Sequence, residues 1–249
     1  MDREKGIVSP ALSAFLLLLY AHMIYFNNVT KKYAKDENPS IDNITLSISP
    51  GEFVSVVGHS GAGKTTLTKL ILAEESPTDG TVFFESTDIH KLSNNDLTGF
   101  RRKIGVVFQD FRLLPNKNAY ENIAFAMEAT GKDDEEISED VPHVLELVDL
   151  AHKSFHFPHQ LSGGEKQRLA IARAIITQPD IIIADEPTGN LDPINTAEVV
   201  NILKKINDLG TTILLTTHNR SVIDQIKKRV ITLENGRVIR DDKDGKYML

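Results

Sequence analysis

The stretch Gly58-His59-Ser60-Gly61-Ala62-Gly63-Lys64-Thr65-Thr66 constrains this chain more than any other. It fits G-x-x-x-x-G-K-[ST], a pattern whose backbone closes around phosphate groups. Phe53 to Val57 before it is a short apolar, β-branched run that reads as a buried strand. Thr65 to Ala73 after it reads as a helix. A strand, a glycine-rich turn and a helix N-terminus together make an anion site. The backbone N–H groups point at the ligand, and the helix dipole favours negative charge. Glycines let the backbone approach where side chains would obstruct. Lys64 is then expected to reach the β- and γ-phosphates, and the Thr65 hydroxyl to bind Mg²⁺.

A chain of 249 residues is enough for one large α/β domain, or a domain with a subdomain, and for a sizeable core. Its net charge of −7 gives no basic face for nucleic acid. It has no cysteine, which excludes disulfides and thiolate zinc sites. Residues 1–22 differ in character from the rest of the chain. Ala11 to Tyr20 is apolar, comes after Arg3 and Lys5, and is shorter than the roughly 20 residues that span a bilayer. Three readings compete: a start site upstream of Met23, a membrane-surface anchor, and an extra packed helix.

Along the chain, Met23 to Val29 and Ile41 to Ser49 read as strands. They suggest an antiparallel β layer beside a parallel core. Tyr33, at the end of the first, offers an aromatic face to a base, although a half-buried strand-end tyrosine fits its spacing as well. Thr81 to Phe84 and Ile104 to Phe108 are further strands. Gln109 comes directly after the latter, at the strand end where α/β ligands bind. Residues 118–127 and 138–150 read as helices, with the acidic run Asp133 to Glu136 a linker or a first helical turn. His152, His156 and His159 lack a carboxylate or cysteine at metal-binding spacing.

Leu161-Ser162-Gly163-Gly164-Glu165 opens a helix to about Thr177, with Ser162 and Glu165 spaced as a capping box. Two glycines in a first turn disfavour a helix, unless its bare N-terminus must approach a ligand such as a phosphate. Ile181 to Asp185 is an apolar strand ending in Asp185 and Glu186. Asp185 is placed to hold a Mg²⁺ shell, and Glu186 to polarise an attacking water. Asp192 is a natural cap before Pro193, where a helix to Leu209 begins. Thr212 to Thr217 is a core strand ending at His218, either a structural histidine or a donor to a γ-phosphate. Arg229 to Glu234, Asn235-Gly236 and Arg237 to Arg240 form a hairpin.

In this order the residues resemble the ATP-binding cassette (ABC) ATPase family over about residues 23–240. Gly58, His59, Ser60, Gly61, Ala62, Gly63, Lys64, Thr65 and Thr66 match its Walker A motif. Tyr33 matches its adenine-stacking aromatic, Gln109 its Q-loop, and Ser162, Gly163 and Gly164 its signature motif. Asp185 ends its Walker B motif, Glu186 matches its catalytic glutamate, Asn190-Leu191-Asp192 its D-loop and His218 its switch histidine. Glu165 stands where many members have Gln. Within the family, Val107 to Pro115 and Pro158-His159-Gln160 resemble cell-division cassettes of the FtsE type. Ala184 to Asp192 is shared with lipoprotein-release and macrolide-efflux cassettes.

The resemblance implies an α/β P-loop NTPase fold with a RecA-like parallel-sheet core, an antiparallel β subdomain and an α-helical subdomain over about residues 110–178. It implies ATP and Mg²⁺ as ligands, with Thr65, Gln109 and Asp185 around the metal. Glu186, His218 and Gln109 are the implied catalytic residues. It also implies head-to-tail pairing, in which Ser162 and Gly164 of one copy meet ATP held by the other. The expected partners are a second copy, an FtsX-like integral membrane protein and the tubulin-like division-ring protein. The expected location is the cytoplasmic face of a bacterial membrane, and the expected role is regulation of cell-wall hydrolases in division. A lipoprotein-release or macrolide-export transporter subunit is the alternative, and a nucleotide-gated scaffold a third. A DNA-repair cassette would carry a long coiled-coil insertion and a ribosome-acting one usually two cassettes; the sequence has neither.

Overall fold

Five consecutive buried residues, Phe53–Val57, form β3 inside a six-stranded sheet. The chain is described by a computed structural model over residues 22–34, 37–243 and 245. The readings attached to residues 1–21 lie outside the described residues.

The large sheet has the order β10-β9-β3-β8-β7-β6. Its strands are β6 (Ile104–Phe108), β7 (Ile181–Asp185), β8 (Thr212–Thr217), β9 (Arg229–Glu234) and β10 (Arg237–Asp242). All pairs are parallel except β9–β10, the Asn-Gly hairpin. A smaller antiparallel sheet runs β2-β1-β4-β5, from β1 (Ile24–Lys31), β2 (Ile41–Ile48), β4 (Asp79–Phe84) and β5 (Thr87–Asp88).

Strand side chains alternate between faces, so the parallel sheet feeds two cores. Ile182, Ala184, Ile213 and Leu215 enter one, with helices α3 (Ala119–Glu128), α4 (Asp134–Leu147), α5 (Gly163–Ile175) and α6 (Pro193–Asp208). Ile181, Ile183 and Leu214 enter the other, with α1 (Lys64–Ile71) and the antiparallel sheet. Each fully buried aliphatic side chain contributes roughly 1.5–3 kcal/mol to holding these layers.

Two helices lie outside the sequence reading. In α2 (Asn94–Arg102) only Phe100 is buried, so its sequence carries little apolar periodicity. The helix α7 (Arg220–Ile226) is short. The acidic run resolves as a helix start: Asp133 caps α4 and Asp134 to Glu136 fill its first turn, favourable against the helix dipole. Among the described residues no helix is long and apolar enough to cross a membrane.

Candidate active site

The carboxyl end of β3 runs into a loop that requires glycine at two close approaches. A Cβ on Gly58 would lie 2.5 Å from the Leu233 carbonyl oxygen. A Cβ on Gly63 would lie 2.5 Å from the Ser40 carbonyl oxygen, and Gly63 holds φ +107°. Gly63 is also the N-cap of α1 and supplies no side-chain cap. The first N–H groups of α1 therefore lack the usual side-chain acceptor, which suits them to an anion.

Lys64 is buried at the centre of the loop and donates to the carbonyl oxygens of Gly58 (2.8 Å) and His59 (3.3 Å). Its Nζ stands 3.4 Å from Glu186 Oε1. The other carboxylate oxygen of Glu186 lies 2.9 Å from His218 Nδ1. Glu186 thus joins the loop to the residue after β8. Its backbone sits at φ 49°, an uncommon conformation for glutamate. Two hydrogen bonds from its N–H fix it there, to the Thr216 carbonyl and hydroxyl oxygens, each 3.1 Å away. The Thr216 hydroxyl in turn donates to Asp185 Oδ1. Thr216 and the cleft-lining Ser40 are site residues that sequence reasoning misses. Thr216 shows no local signal, because its partners are 30 and 31 residues away.

Lys64, Glu186 and His218 border a cleft of about 550 Å³, with Thr216 and Asp185 behind its wall. Of the sequence candidates, His59, Ser60, Gly61, Gly63, Lys64, Thr65, Thr66, Gln109, Glu186 and His218 line it. Ala62 is buried behind them and Gly58 contributes its carbonyl to Lys64. Gln109 comes after β6 and packs over Gly189, where a Cβ would come within 2.9 Å of its Nε2. Asp185 ends β7, half-buried under Thr216.

Tyr33 is not among the lining residues; its ring lies 4.9 Å below Lys31 Nζ. Ser162, Gly163 and Gly164 are also apart from the cleft. They form the start of α5, where the capping box is complete: the Ser162 hydroxyl accepts from the Glu165 N–H at 3.2 Å, and Glu165 accepts from the Ser162 N–H at 2.7 Å. The hydrogen bond from the Ser162 backbone holds the Glu165 carboxyl below its usual range.

The segment after Gln109 is built by Arg173. Phe111 and Arg112 both have positive φ, 62° and 46°. Arg173 on α5 donates to both of their carbonyl oxygens, at 3.1 and 2.6 Å. This leaves the Arg112 guanidinium 3.7 Å from the Phe108 ring centroid and exposed.

The family described as "ABC transporter" matches residues 41–189. The cell division ATP-binding protein FtsE of Bacillus subtilis is 48% identical over 90% of this chain and 98% of its own length. That of Mycobacterium tuberculosis is 45% identical over the same shares. Among solved structures, a dimeric post-hydrolysis ATP-binding cassette bound to ADP and Pi superposes with a TM-score of 0.81. It is 37% identical over 90% of this chain and all of that one. A loop that closes on a buried lysine, two carboxylates at the end of β7 on the far side of β8, and this similarity lead to one conclusion: the chain belongs to the ABC transporter family, as an ATPase of the FtsE cell-division type.

Proposed function

We propose that the chain hydrolyses Mg-ATP in the Lys64 cleft as one half of a homodimer docked on an FtsX-like membrane protein. The observation that carries this reading is the convergence of Lys64, Glu186 and His218 on one cleft at the end of the parallel sheet. Lys64 and the first N–H groups of α1 hold the phosphates. Glu186, once released by Lys64, accepts a proton from the attacking water. His218, whose Nδ1 faces Glu186, donates a hydrogen bond to the γ-phosphoryl oxygens in this reading. Catalysis is then positioning plus stabilisation of charge developing on the phosphoryl group.

Thr65, Gln109 and Asp185 offer a hydroxyl, an amide oxygen and a carboxylate, a hard-oxygen set of the kind Mg²⁺ takes together with phosphate. When bound, Mg²⁺ would neutralise charge on the phosphates. Tyr33 is proposed to meet the adenine ring. Ser162, Gly163 and Gly164, set apart from the cleft of their own chain, are proposed to serve the ATP held by the second copy; the dimeric relative supports this pairing. In this reading residues 23–249 are the cassette, about 110–178 its helical subdomain, and residues 1–22 an extension.

The segment Phe111 to Pro115 is the proposed dock for a cytoplasmic helix of the membrane partner. The assembly would lie on the cytoplasmic face of the membrane, with ATP-driven closure relayed to cell-wall hydrolases and the tubulin-like division-ring protein close by. The FtsE relatives support this reading over a lipoprotein-release or macrolide-export role. Affinity capture of the tagged chain from gently solubilised native membranes tests it. Recovery of an FtsX-like protein is expected, and recovery of a transport permease in its place would overturn it.

A further inference from the structure

The start of α5 is locked to the start of α6. Gly164 is buried, and a Cβ there would fall 1.7 Å from Asn195 Oδ1 and 2.9 Å from Asn195 Cβ. The Asn195 side chain is held in place by its amide hydrogen bond to Asp192, which also caps its backbone. Asp192 Oδ1 accepts from the Asn195 N–H at 3.0 Å, and its other oxygen accepts from the Asn195 side-chain amide. The same Asp192 accepts from the Ile194 N–H at 2.9 Å and caps α6. One turn further along both helices, Arg168 forms an ion pair with Glu198. The Arg168 side chain is 10% exposed, and its Nε has no hydrogen-bond partner among the described residues, so Glu198 is its principal anchor. Spacings of four residues on α5 and three on α6 put both contacts on facing helix stripes.

We propose that Asn195 and the Arg168–Glu198 pair are positioning residues that make the Ser162–Gly164 helix start and the Asn190–Asp192 turn move as one body. This rests on the dimer reading, in which the helix start serves the second copy's ATP. The turn lies directly downstream of Glu186 in its own chain, with Gly189 N–H bonded to the Glu186 carbonyl and Leu191 N–H to that of Thr188. Engagement of the helix start by one nucleotide is thereby passed to the turn beside the other site. Asn195, Arg168 and Glu198 touch no lining residue of the cleft in the structure's hydrogen bonds and ion pairs, so they act through the machinery rather than in it.

The test compares Asn195→Ala with the milder Glu198→Gln, each also placed in a Glu186→Gln background. Three quantities are read: ATP affinity of the single chain, the ATP concentration that half-saturates dimer formation, and the Hill coefficient of hydrolysis. Single-chain affinity should stay within about twofold of the parent, because distant groups are energetically independent. Half-saturation of dimerisation should rise about tenfold, which is a coupling of ~1.4 kcal/mol, and the Hill coefficient should fall toward one. Glu198→Asp should recover part of the loss. Unchanged dimerisation and cooperativity would overturn the inference. So would single-chain affinity and dimerisation falling together, as a general loosening of the fold predicts. If the Glu186→Gln chain with no other change does not dimerise on ATP, the dimer reading and this inference fail together.

Discussion

Lys64 Nζ and Glu186 Oε1 stand 3.4 Å apart, so the proposed phosphate ligand and the proposed base form an ion pair. The pair spares Lys64 from being a buried, uncompensated charge. In the proposed cycle the β- and γ-phosphates take the place of Glu186 on Lys64 and leave the carboxylate to the water. Lys64→Ala should weaken ATP binding by about 10–100-fold, the worth of ~1.5–3 kcal/mol for hydrogen bonds to a charged group. Calorimetric titration of ATP measures this. Unaltered affinity would place the phosphates elsewhere.

The capping box of α5 makes the signature helix sensitive to acid. The folded chain holds the Glu165 carboxyl below its usual range, through the Ser162 N–H first. Its contribution is complete at neutral pH, above the unfolded value, and is lost as pH falls through the lower folded value. Ser162→Ala removes the N-cap and should lower stability by ~1 kcal/mol. Thermal melts at pH 7 and in mild acid would show the Glu165→Gln difference shrinking with acidification; a difference that grows would contradict the assignment.

Arg229 ties three segments together. Its guanidinium donates to both oxygens of Asp241 at 2.7 Å, to Glu52, and to the Ser47 carbonyl oxygen at 2.9 Å. These bonds, Asp241 first, raise its already high pKa further, so it stays charged throughout the working range. Arg229→Met should cost about 2–4 kcal/mol because Glu52 and Asp241 lose their partner. Urea unfolding checks this, and a loss below about 0.5 kcal/mol, the size of an ordinary surface change, would mean the clamp is decorative.

Arg112 is exposed above Phe108 with its backbone held by Arg173. Arg112→Glu should leave ATP affinity of the isolated chain unchanged and reduce recovery of the membrane partner. Full recovery would move the dock away from Phe111 to Pro115.

Much of this architecture is legible locally. The run Phe53–Val57, the glycine loop and the helix after it specify one another within twenty residues, and the Asn-Gly turn fixes the β9–β10 hairpin. The Ser162–Glu165 and Asp192 caps are equally local and stand where the sequence puts them. What the sequence does not display is contact between distant segments. Thr216 looks like any β-branched core residue until β8 is laid beside β7. Asn195 looks like a polar residue in a first helical turn until Gly164 is brought against it. Helix α2 escapes because one buried phenylalanine makes no periodic stripe.

Glu186 is proposed as the base that activates water against ATP held by Lys64. The most direct test is single-turnover hydrolysis by Glu186→Gln, with bound nucleotide and assembly state tracked in the same sample. Retained ATP, a stable ATP-bound dimer and hydrolysis slowed about 10²–10⁴-fold, the usual contribution of a general base, are expected. Hydrolysis at the parental rate would contradict this role and require another group to take the proton.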